Sequence, residues 1–110
     1  MKVSELAKEI GAKYLNDADS EKVISSGFVC DLLSWAMAKG QGGMAWITVQ
    51  SHINVIAVAA LHDISCVVLP ENIEMEQSVI DKAKEEGINI LSSGLSAYEI
   101  CGILYKNGVK

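Results

Sequence analysis

Met44-Ala-Trp-Ile-Thr-Val-Gln-Ser-His52, followed at once by the apolar run of residues 54–61, decides the fold. From Trp46 onward the first stretch alternates, so an extended strand over residues 44–50 puts Trp46, Thr48, Gln50 and His52 on one side. Ile47, Val49 and Ser51 fall on the other. Three hydrogen-bonding side chains in a row call for partners, because each buried polar group left unpaired costs about 1–3 kcal/mol. They gather toward the C-terminal end of the strand, where open α/β sheets hold their ligands. The run of residues 54–61 has helical composition and no polar face.

Working outward, the same strand-then-helix pattern repeats. A strand over 65–69 leads past Pro70 to a helix over 74–86 closed by Gly87. A strand over 88–91 leads to a helix over 96–106. Helical crossovers of this kind imply parallel strands. Upstream, Ser4 is placed to cap a first helix ending near Ile10 and Gly11. Residues 13–15 read as a short extended piece, 16–20 as a turn and 22–24 as a second short strand. Asp31 stands where a carboxylate would cap a helix running to about Lys39. The expected architecture is therefore α/β: a small single domain, residues 1–110, with a mostly parallel sheet and helical crossovers. Strand and helix alternate three times after an N-terminal helix.

The helix over 74–86 has a polar face (Glu76, Asp81, Lys84, Glu85) and one apolar stripe (Val79, Ile80, Ala83), so it belongs on the surface. The all-round apolar helix over 54–61 must be covered on every side. A subunit interface is the economical cover, which predicts a homodimer; a central place in the core is the alternative.

Composition excludes several functions. A formal net charge of −5, with the basic residues scattered, disfavours nucleic-acid and membrane-surface binding. The N-terminus lacks the apolar core of a signal peptide, and the apolar run from Val55 to Leu61 falls far short of the roughly 20 residues that span a bilayer. Cys30, Cys66 and Cys101 are odd in number and widely spaced, with no C-x-x-C pair, so they read as reduced core cysteines of a cytoplasmic protein. No phosphate-binding G-x-x-x-x-G-K-[ST] loop exists, and Gly40-Gln-Gly-Gly43 follows a helix rather than a strand. There is no G-x-S-x-G elbow, and His52 and His62 lack metal-ligand spacing. No catalytic, metal-binding or cofactor-binding residue is expected.

Three groups remain as candidate ligand contacts. Thr48, Gln50 and His52 come first, although His52 could simply cap the following helix. Asp31 and Ser34 come second, at a helix start whose free N–H groups could receive an anion. The third is Ser92-Ser-Gly-Leu-Ser-Ala-Tyr-Glu99, where Ser93 lies in a turn after the last strand and Ser96 heads an S-x-x-E capping box.

Gly27-Phe-Val-Cys-Asp-Leu-Leu-Ser-Trp-Ala-Met37, the Trp46-Ile-Thr-Val-Gln-Ser-His52 strand with the helix behind it, and the closing Ser96-Ala-Tyr-Glu99 helix together resemble the DRTGG domain. That domain is similar to the N-terminal domain of HPr kinase/phosphorylase. Where the family carries its naming motif this sequence reads Glu21-Lys-Val-Ile-Ser-Ser-Gly27, of which Gly27 matches. The resemblance implies a small α/β regulatory or ligand-sensing module, and adds Gly27 to the candidate contacts. It brings no kinase chemistry, since the phosphate-binding loop is missing.

The expectation is thus a non-enzymatic regulatory domain that binds a small anionic ligand, plausibly a nucleotide, at the C-terminal ends of its parallel strands. An interaction subunit docking a partner protein through helix 54–61 is the alternative. A small enzyme with His52 as general base is the weakest reading.

Overall fold

The computed structural model describes residues 1–110. Its elements run α1 (Val3–Glu9), β1 (Lys13–Asn16), β2 (Ser26–Val29), α2 (Leu33–Lys39), β3 (Met44–Ile47), α3 (Ile53–Leu61), β4 (Cys66–Leu69), α4 (Gln77–Glu86), β5 (Ile90–Ser92) and α5 (Ala97–Lys106). One five-stranded sheet has the order β1-β5-β4-β3-β2. β2 to β5 are parallel neighbours, and β1 adds to β5 antiparallel. The expected α/β class is the one observed, with β2–α2 as a fourth strand–helix unit.

Every residue of β3 and β4 is buried, as strands covered on both faces must be. Trp46, Val67, Leu69 and Ile90 pack with α2, α3 and α4 on one face. Ala45, Ile47, Cys66, Val68 and Leu91 pack with α1 and α5 on the other. No helix is long and apolar enough to cross a membrane.

Several boundaries differ from expectation, each for a local reason. Ser4 caps nothing: α1 starts at Val3 because the 20–24 segment already satisfies its first amides. Val3 and Ser4 N–H donate to the carbonyls of Lys22 and Ser20, both at 2.9 Å. That same pinning leaves residues 22–24 a single bridge, Lys2 to Val23, rather than a strand. α4 starts at Gln77 with Glu76 as its N-cap, three residues later than expected, and Gly87 closes it in the left-handed conformation at φ 71°.

Helix α3 is covered within the chain. Val55, Ile56, Val58 and Ala59 are buried against the sheet and neighbouring helices, leaving Ile53, Asn54, Ala57 and Leu61 outward. Its all-round apolarity therefore does not require a second subunit. Of the three free cysteines only Cys66 is buried; Cys30 and Cys101 are half-buried, so the core reading fails for those two.

At the N-terminal ends of the strands, Asn89, 1% exposed, ties three segments together. Its Oδ1 accepts from the N–H groups of Ala18 and Asp19 (2.9 and 2.8 Å). Its Nδ2 donates to the carbonyls of Asp19 and Ser65 (2.7 and 3.0 Å). Asn16 Nδ2 donates to Ile88 O at 2.8 Å beside it. These bonds hold the 16–20 turn under the sheet, and no buried side-chain polar atom in the chain lacks a partner.

Candidate functional site

β3 ends at Ile47, so the alternation read over residues 44–52 stops one residue later. Thr48, 1% exposed, makes the last ladder bond, donating its N–H to Val68 O at 3.1 Å. Beyond it the chain turns, and Thr48, Gln50 and His52 do not share a strand face. The Thr48 hydroxyl organises the turn, accepting from Gln50 N–H (3.1 Å) and donating to Asp31 Oδ1 (2.9 Å). The same carboxylate oxygen accepts from Val49 N–H at 2.9 Å.

Asp31 is thus a clasp between the β2 and β3 ends rather than the cap of α2. The N-cap there is Leu32, with no side-chain bond. The reason is supply and demand. Where β3 leaves the ladder, the Val49 amide and the Thr48 hydroxyl both need an acceptor, and one carboxyl oxygen of Asp31 serves both. His52 is the N-cap of α3, its Nδ1 accepting from Asn54 N–H at 3.1 Å. In the neutral ring this bond leaves the proton on Nε2.

The turn forms one wall of a 390 Å³ cleft lined by Val49, Gln50, Ser51, His52 and Ile53. Its other wall is the start of α4: Glu76, Ser78 and Val79. Of the expected contacts, Gln50 and His52 line this cleft, while Thr48 and Asp31 lie behind it as the clasp that shapes the turn. Ser51, Glu76 and Ser78 were not among the expected contacts. The signal for the α4 pair was available: the loop after the strand next to β3 must end beside the loop after β3.

The remaining expected contacts are elsewhere. Ser34 is exposed in an apolar groove between α2 and α3. Gly27 lies at the β2 edge in a third pocket. Ser93 is buried, with Oγ donating to Ile10 O (2.7 Å) and accepting from Leu95 N–H (3.1 Å), so it ties α1 to the β5 turn and faces no ligand space. Ser96 is spent on its capping box, exchanging bonds of 3.1 Å with Glu99.

α4 and α5 leave the sheet toward opposite faces, so the crevice between the β4 and β5 ends is the topological switch point. It is laced shut. Glu71 N–H donates to Leu95 O and Asn72 N–H to Ser93 O, both at 2.9 Å. Glu71 and Asn72 adopt left-handed backbone (φ 60° and 58°) to make those bonds, which costs about 1–2 kcal/mol per residue. The open cleft lies one strand over, between β3 and β4.

The strand ends carry more acid than base. Asp31 and Glu76 have no basic partner, and Lys13 pairs with Glu74, holding that carboxyl below its ordinary range. No three His, Cys, Asp or Glu side chains converge in metal-binding geometry.

A mostly parallel, three-layer α/β domain with a polar cleft at a strand end is the class that fold and site define. Among solved structures, the CBS and DRTGG domains of the regulatory region of Clostridium perfringens pyrophosphatase, complexed with the activator diadenosine tetraphosphate, share its fold. The TM-score is 0.73 at 11% identity, covering 94% of this chain and 45% of that one, so this chain spans less than half of its neighbour. The fold is DRTGG-like. No family model and no curated protein matches the chain by sequence.

Proposed function

We propose that the chain is a ligand-sensing regulatory domain, without catalysis of its own, that takes a nucleotide-like ligand in the β3–α4 cleft. The observation that carries this reading is the convergence of Gln50, Ser51, His52 and Ser78 on one 390 Å³ space above the Asp31–Thr48 clasp. Only the backbone N–H of Gln50 is engaged within the chain, which leaves its side-chain amide for a ligand. No lysine lines the cleft and Glu76 does, so recognition there rests on neutral donors and acceptors. That set suits the base and sugar of a nucleotide, whose phosphates would extend toward solvent. The nucleotide activator of the fold neighbour supports the ligand class.

Thermal unfolding with adenosine, AMP, ATP and diadenosine tetraphosphate tests this. A ligand at a hundred times its Kd stabilises by about 2.7 kcal/mol. Gln50→Ala should weaken that ligand by roughly 1–3 kcal/mol and leave the free protein within about 1 kcal/mol of wild type. No response to any of the four, or an undiminished response in Gln50→Ala, overturns the reading.

A second reading, docking of a partner protein on α3, is favoured by one observation. Ala57 lines a 410 Å³ groove with Leu33, Ser34, Met37, Asn54 and Val58, on a helix whose Ile53 and Leu61 are also exposed. Under that reading Leu61→Glu abolishes partner binding and nucleotides have no effect.

A further inference from the structure

The two edges of the sheet are treated differently. β1 carries Lys13 and an irregularity between Tyr14 and Asn16, two devices that discourage a further strand from adding. β2, Ser26-Gly-Phe-Val29, carries no charge, no proline and no bulge, and its register against β3 is unbroken over four residues. Cys30 N–H donates inward to Ile47 O. In a parallel ladder the bonding residues alternate, so the N–H and C=O groups of Gly27 and Val29 point off the edge.

Gly27 and Val29 also share the sheet face of α5. There they border a 270 Å³ apolar pocket with Ile47, Cys101, Leu104 and Tyr105. Val29 is 52% exposed, and two residues away Gly27 presents no side chain at all. A protruding valine and a gap at that spacing are complementary to themselves under a two-fold rotation.

We propose that β2 pairs antiparallel with β2 of a second copy about a two-fold axis through Phe28. Gly27 and the partner's Val29 then form a hydrogen-bonded pair, each exchanging both N–H···O bonds, and the symmetric pair doubles this to four bonds. Each Val29 side chain lies over the other copy's Gly27 and enters the pocket walled by Leu104 and Tyr105. The result is one continuous sheet through both copies. On a chain of net charge −5 the edge strand itself carries no charge, and the one charged side chain lining the pocket beside it is Lys110. This surface is separate from the ligand cleft and stands whether or not that reading holds.

Sedimentation velocity over roughly 1–100 µM, with three variants, tests it. Wild type should dimerise in that range. Val29→Lys guards the edge, and Gly27→Val fills the space the partner's Val29 needs. A Cβ at Gly27 meets Leu104 Cδ1 at 3.6 Å, an ordinary van der Waals contact, and the φ there is open to L residues, so the backbone accepts a side chain at this position. Both variants should raise the dimer Kd roughly tenfold or more and leave the unfolding midpoint unchanged when it is measured below the dimer Kd, where every form is monomeric. Leu61→Glu, on the outward side of α3, should leave the dimer intact. As a measurement free of mutation, the Gly27 and Val29 amides of wild type should exchange with deuterium more slowly as concentration rises. A monomer throughout, a dimer that survives both β2 variants, dissociation by Leu61→Glu, or concentration-independent exchange at those amides would each overturn the proposal.

Discussion

Replacing Asn89 by alanine tests whether the bottom of the sheet, rather than its top, is where polar chemistry holds the fold. The change deletes four hydrogen bonds at once. Ala18 and Asp19 are exposed, so water can reach their N–H groups and the Asp19 carbonyl once the side chain is gone. Those three losses count at the net value of an ordinary bond, about 0.5–1.5 kcal/mol each. Ser65 is 2% exposed, and its carbonyl has no such recourse, adding about 1–3 kcal/mol. A total near 5 kcal/mol is a large part of the roughly 5–15 kcal/mol that domains of this size possess. Urea denaturation followed by far-UV circular dichroism reads it directly, with the slope unchanged and the midpoint lowered. Asn89→Asp sharpens the test. One oxygen still accepts from the N–H groups of Ala18 and Asp19, but the other now faces two carbonyls, and only a protonated carboxyl can donate there. Its folded pKa is therefore raised above the unfolded value near 4, and stability is lost as pH rises from there, by about 1.4 kcal/mol per pH unit up to the folded pKa. A loss below 1 kcal/mol in Asn89→Ala, or a pH-independent deficit in Asn89→Asp, would refute the reasoning.

Further predictions concern the site and the core. Asp31→Ala should destabilise by about 2–3 kcal/mol, since Thr48 and Val49 lose a charged acceptor, and should weaken any ligand of the cleft; titration calorimetry and chemical denaturation separate the two effects. Glu71→Gly should raise the melting temperature through relief of about 1 kcal/mol of left-handed strain, and a lower melting temperature would mean that the Glu71 side chain contributes more than its backbone costs. Burial pushes the Cys66 thiol up from 9.0 to about 12. The folded chain therefore keeps that proton longer than the unfolded one, and stability should fall by about 1.4 kcal/mol per pH unit as pH rises from 9 toward 12. Cys66→Ala should remove that part of the slope, and at pH 8 a thiol reagent should modify Cys66 only through unfolding.

The strands and helices behind Met44 were legible because buried parallel strands are continuous apolar runs and their helices carry readable stops. Gly87 and the Ser96–Glu99 box stand where they were expected. The N-terminal third was less legible, since Val3 and Ser4 meet Lys22 and Ser20 through backbone groups that carry no residue signature. At the site, the period-2 pattern continued past Ile47 by coincidence: Thr48, Gln50 and His52 are polar for three reasons, as clasp, cleft lining and helix cap. Asp31 has the residue type and position of an ordinary cap, and only the arrival of β3 beside it redirects its carboxylate. Asn89, which does more for the fold than any of these, sits in a strand-like run where nothing local marks it.

The antiparallel pairing of β1 with β5 has a consequence for the order in which the chain can fold. β2 to β5 accumulate in sequence order, each one short crossover from the last, so three of the five strands can assemble without any residue after Leu69. β1 precedes all of them in the chain, yet its register joins Lys13 to Ser92. Closing a loop of that length across an unfolded chain costs about 4 kcal/mol of chain entropy. β1 must wait, without a strand partner, for the last strand. Refolding should accordingly show the β2–β4 region protected first and β1 last, and a chain cut short before β5 should leave its own beginning without a place in the sheet.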